Sequence, residues 1–107
     1  MKAVETNNKS SELNLELGFI YLRMKKFNES ISIYKKVLNN GDDEEKALSY
    51  YNTACAYSLT KFKFEAINNL KEAVILNKKY IKEAVNDKDF ENIKNEKAFK
   101  NLVVFNN

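Results

Sequence analysis

A chain of 107 residues and 12.5 kDa has room for one domain. Its 18 Lys and Arg against 15 Asp and Glu leave a formal charge of +3, too small for a nucleic-acid or polybasic membrane footprint. The absence of His removes the commonest general base and metal ligand, and the single Cys55 excludes an intrachain disulfide or a thiolate zinc cage.

Met1–Asn7 carries no apolar run of signal-peptide length, and no later stretch is long enough to span a membrane. A cytoplasmic protein without a membrane partner is expected. Residues 1–10 read as a flexible arm. Beyond them, with no Pro and only Gly18 and Gly41, β-turn chemistry is scarce and the apolar residues follow the helical period.

The first predicted helix, Ser11–Met24, places Leu13, Leu17, Ile20, Tyr21 and Met24 on one stripe, read as its core face, with Ser10 or Ser11 as cap. The second, Phe27–Asn39, aligns Phe27, Ser30, Ile31, Tyr34, Val37 and Leu38. Asn39-Asn40-Gly41 is then a stop, because Gly and Asn accept the left-handed conformation. Asp42 followed by Glu45 forms a capping box for the third helix, Glu45–Leu59, whose stripe includes Tyr50, Ala54 and Tyr57. A fourth helix, Lys63–Leu76, uses Ala66, Ile67, Leu70, Ala73 and Val74. Tyr80–Asn86 starts a fifth, and Asp87–Ile93 and Phe99–Val103 read as two short tail helices. Asp87 and Asp89 are expected as helix caps rather than a metal pair. The fold class is all-α.

The two helix pairs repeat one another at an offset of 36 residues. Leu17-Gly18-x-x-Tyr21 aligns with Thr53-Ala54-x-x-Tyr57, and Ser30-x-x-x-Tyr34-x-x-Val37 with Ala66-x-x-x-Leu70-x-x-Ala73. This pattern resembles the tetratricopeptide repeat (TPR) family, in which small residues stand where two helices touch. The resemblance implies antiparallel helix pairs stacked as a short right-handed superhelix. Residues 11–80 form two such pairs, and residues 81–107 a partial third unit with capping helices. The turn aromatic is Phe27 in the first pair but Lys63, between Phe62 and Phe64, in the second, which predicts a second turn shifted by one residue.

In this family the inner surface lined by the first helix of each pair is where partners bind. Here the first helix carries a second stripe, Leu15, Phe19 and Leu22, roughly opposite the first. The corresponding residues on the third helix are Leu48, Tyr51, Cys55 and Leu59, with Asn52 beside them and Arg23 and Lys82 at the edge. An apolar concave groove is expected, with Phe19 and Tyr51 as its aromatic anchors. Some family members clamp acidic chaperone tails with Lys, Asn, Asn, Lys and Arg. By spacing these fall on Leu15, Phe19, Asn52, Lys82 and Asn86, so that clamp is not expected.

Cys55 lacks an imidazole partner, and no carboxylate pair suggests acid–base chemistry, so no enzymatic activity and no cofactor are expected. The leading reading is a protein-interaction module holding a partner peptide or helix. A second is a self-associating subunit whose groove or tail is buried in a homodimer. A third, RNA binding by a helical repeat, is disfavoured by the weak charge.

Overall fold

The computed structural model describes residues 2–106 of the chain, with side chains from Ser10 to Val104. The described residues form six α-helices and no strand: α1 (Lys2–Arg23), α2 (Phe27–Asn40), α3 (Asp43–Leu59), α4 (Lys63–Leu76), α5 (Lys79–Asn86) and α6 (Lys97–Asn106), with a 3₁₀ turn at Lys88–Phe90 between the last two. Four of the expected helices lie within two residues of these bounds. Three elements differ: α6 runs three residues past the expected Phe99–Val103, the helix expected over Asp87–Ile93 is only the 3₁₀ turn, and α1 begins at Lys2, so that residues 2–10, expected as an arm, are helical. No described helix is long and apolar enough to cross a membrane.

Helices α1 and α2 pack as one pair, α3 and α4 as a second, and α2 lies against α3 between them. The turns within the two pairs are chemically equivalent. Lys25 and Lys61, 36 residues apart, both adopt positive φ, at 63° and 67°. The Lys26 N–H donates to Tyr21 O at 2.8 Å, and the Phe62 N–H to Tyr57 O at 2.9 Å. The expected one-residue shift of the second turn is therefore absent. Phe27 corresponds to Lys63, and the nearby Phe62 packs edge-on against Tyr57 instead, at 6.2 Å. Left-handed backbone costs a non-glycine residue about 1–2 kcal/mol, against about 0.5–1 kcal/mol for the extra chain entropy a glycine loses on folding. Lys25→Gly and Lys61→Gly should each stabilise the protein by about 0.5–1 kcal/mol, read as a rise in the urea midpoint at constant slope.

Gly41 does not use the left-handed conformation expected of it. Its φ of −79° is open to any residue. What requires glycine is proximity: an added Cβ would lie 2.8 Å from Val37 O and 2.9 Å from Val37 Cγ1. The capping box that follows forms as expected. Asp42 Oδ1 accepts from the Glu45 N–H at 2.8 Å, and the Asp42 N–H donates to Glu45 Oε1 at 2.9 Å.

The face of α1 that packs inward also differs from the expectation. Ser11, Gly18 and Leu22 are buried and Leu15 half-buried, whereas of the residues read as the core stripe Tyr21 is half-buried and Leu13, Leu17, Ile20 and Met24 are exposed. Two apolar stripes lie on opposite sides of this helix. Among the described residues, α1 packs on α2 and α3 through the side that carries Ser11, Gly18 and Leu22.

A continuous core joins the second helix pair to the tail. Leu70, Ala54 and Ala66 of α3 and α4 share it with Tyr80 and Ile81 of α5, with Phe90 and Ile93, and with Phe99 and Leu102 of α6. Phe90 and Ile93 are wholly buried. The 3₁₀ turn is entered through Asp87, whose Oδ1 accepts from the Asp89 N–H at 2.9 Å, the capping role expected of it.

Candidate partner-binding groove

A concavity of about 910 Å³ lies where α1, α3 and α5 face one another. Phe19 and Arg23 enter it from α1, Asn52 and Cys55 from α3, and Lys79, Lys82, Glu83 and Asn86 from α5. A second concavity of about 560 Å³ adjoins it and shares Phe19, Asn52, Lys79, Glu83 and Asp87. Leu15, Leu48 and Tyr51 line this second part. Leu22 belongs to the first, and Leu59 to a smaller pocket beside Arg23 and Phe27.

The residues singled out from the sequence thus gather along one surface, but with unequal access. Phe19 is 49 % exposed at the junction of the two concavities, and the Arg23 guanidinium lies 5.5 Å from its ring centroid. Tyr51, expected as the second anchor, is 6 % exposed. Its ring stacks on Tyr80 at 4.8 Å and meets the edge of Phe90 at 5.3 Å. The tail has covered it, and Tyr51 is a core residue with only its rim in the groove. Leu22, at 2 %, and Cys55, at 2 %, are likewise part of the core.

Charged side chains stand beside the apolar lining of the groove. The side chains of α5 and the following turn bring Lys79, Lys82, Glu83, Asp87, Lys88 and Asp89 to its wall. Lys79, Lys82 and Glu83 were legible as the solvent side of an amphipathic helix, since Tyr80, Ile81 and Ala84 form the buried side of α5. Only the packing of α5 across from α1 turns that polar side into a groove wall.

Asn52 spends its side-chain amide on the fold. Nδ2 donates to the buried Tyr34 hydroxyl at 3.0 Å, across from α3 to α2. It is therefore engaged with the neighbouring helix rather than directed at a groove occupant.

At the groove floor, Cys55, Asp87 and Asp89 present ligand-capable atoms within 4.8 Å of one another, a convergence that the linear sequence does not reveal. Each is already engaged. The Tyr51 hydroxyl donates to Asp87 Oδ2 at 2.7 Å, the Cys55 thiol reaches the same oxygen at 4.0 Å, and Arg23 Nη2 donates to Asp89 Oδ2 at 2.9 Å. A cation bound here would have to displace two protons and a guanidinium. The arrangement ties α1 and α3 to the turn after α5 through hydrogen bonds to two carboxylates.

Burial pushes the Cys55 thiol well above its ordinary value, and the carboxylates of Asp87 and Asp89 push it further. The Tyr51 phenol is raised by burial and by its bond to Asp87, and Tyr34 by burial, which outweighs the opposing bond from Asn52. All three therefore stay protonated in the folded chain. A group whose folded pKa is raised contributes its full stabilisation below the unfolded value and loses it as the pH climbs above that value. Stability should thus be insensitive to these groups near neutrality and fall above about pH 9, where an unfolded Cys or Tyr begins to ionise. Urea unfolding followed from pH 7 to 11 checks this, with Tyr34→Phe expected to flatten the alkaline slope. Cys55 should react with a thiol reagent at neutral pH only at the rate of unfolding.

No family model matches this chain, and neither a curated protein nor a solved structure matches it.

Proposed function

We propose that this protein is a non-catalytic interaction module of TPR-like design that holds a segment of a partner protein against Phe19. The observation carrying this reading is the half-exposed Phe19 ring at the meeting point of two adjoining concavities, one walled by α5 and one by Leu15 and Leu48. An exposed aromatic costs the free protein nothing in packing and offers a partner roughly 1.5–3 kcal/mol on burial. The equivalent turns at Lys25 and Lys61 support the repeat architecture. A non-catalytic role is supported by the burial of the thiol without an imidazole near it.

The wall of the groove favours a partner segment with one apolar side chain among polar ones. A two-carboxylate clamp of the kind known in the family is not proposed, since Leu15 and Phe19 take the place of two donors and the Asn52 amide is bonded to Tyr34. Partners recovered from extract of the source cells should be lost with Phe19→Glu and kept with Phe64→Glu, a residue 75 % exposed and outside both concavities. Equal recovery by both variants would place the binding surface elsewhere.

A further inference from the structure

The outer face of α1 is a separate surface from the groove, and it does not depend on the reading just proposed. Leu13, Leu17, Ile20 and Met24 lie along it with exposures of 64 %, 36 %, 52 % and 56 %. Their spacing of four, three and four residues is the seam that one helix presents to another crossing at about 20°. An extended strand has no matching period. We infer that this seam joins two copies of the chain, with α1 packed antiparallel on α1 of the second copy.

Two features of the seam suit a second copy, and the second of them selects this orientation. The register is self-complementary. With the two-fold axis between Gly18 and Phe19, Leu13 meets Met24 of the other copy and Leu17 meets Ile20, so the four residues fill four layers with none left over. The charges are also self-complementary. Glu12 stands at the N-terminal end of the seam, and Lys25 and Lys26 at its C-terminal end. Antiparallel packing sets the acidic end of each helix beside the basic end of its partner, whereas parallel packing would set like charges together.

Sedimentation equilibrium of the 107-residue protein should show a monomer–dimer equilibrium that shifts with concentration. Ile20→Glu, at a residue already half exposed in the monomer, should weaken the dimer by about tenfold or more with unchanged far-UV circular dichroism. Leu13→Glu should act in the same way and provides a second reading if Ile20→Glu disturbs the helix. Oxidative cross-linking reads the orientation: a mixture of Leu13→Cys and Met24→Cys chains should yield a covalent heterodimer, and neither variant alone should cross-link, while Cys55 is buried. A monomer at every concentration would overturn the inference, because the seam would then not be covered by a second copy. So would growth beyond the dimer, as expected of head-to-tail stacking on Ile75 and Val104, or a dimer that survives Ile20→Glu and Leu13→Glu but is lost on Phe19→Glu. Cross-linking of either variant with itself would establish the parallel arrangement instead.

Discussion

Replacing Phe90 with alanine should remove about 3–5 kcal/mol of stability, a large share of the roughly 5–15 kcal/mol that a domain of this size possesses. The ring is wholly buried, meets the Tyr51 ring edge-on at 5.3 Å and lies 6.4 Å from that of Phe99. Its loss opens a cavity between α3 and the tail and frees the stacked Tyr51–Tyr80 pair on one side. The hydrogen bond from Tyr51 to Asp87 sits at the same junction, so its geometry should loosen as well. Urea unfolding should show a lower midpoint at an unchanged slope if the tail and the second helix pair unfold together. A loss below about 1 kcal/mol would mean that the tail is not part of the cooperative core. The same reasoning makes Tyr51 a stability residue: Tyr51→Glu should unfold the protein, whereas Phe19→Glu should leave the fold intact.

The second large effect is expected at Gly18. A Cβ there would lie 2.7 and 2.8 Å from two carbons of the Tyr34 ring, which is itself fully buried and held by Asn52. The ring has nowhere to move, so Gly18→Ala should cost about 1–3 kcal/mol in spite of alanine's better helix propensity. The chain contains its own control. In the second helix pair the corresponding positions are Ala54 and Leu70, both wholly buried: a larger residue on one helix faces a smaller one on the other. The double variant Gly18→Ala, Tyr34→Leu should therefore be more stable than the sum of its single changes, with a coupling of about 0.5–3 kcal/mol. Tyr34→Leu alone deprives the Asn52 amide of its acceptor and leaves a gap over Gly18. Additivity of the two changes would show that the contact is not the constraint at this crossing.

These two sites also separate what was legible in the sequence from what was not. The positions of α2 to α5 were, because the 3.6-residue period, the Asp42–Glu45 box and the want of turn residues are local features, and local hydrogen bonding decides them. The repeat at 36 residues was legible in the small-against-large pairs, since close helix contact admits few combinations of side chains. The turn phase was not, because the marker residue is the left-handed Lys61, whose backbone conformation no side chain announces.

Tertiary structure alone decided which face of each helix is covered. Periodicity assigned Leu13, Leu17, Ile20 and Met24 to one side of α1 and Leu15, Phe19 and Leu22 to the other. It contains no information on which side meets a neighbour. The same limit applies to Tyr51, whose place on α3 was readable but whose burial depends on Tyr80 and Phe90, more than twenty residues further along the chain. The groove's charge came from α5 in the same way, and the meeting of Cys55 with Asp87 and Asp89 follows from the tail folding back over α3. Sequence patterns report the chemistry of a helix face, because that is set within one turn or two. Burial is set by whichever distant segment packs on that face, and its free energy belongs to the contact rather than to either segment.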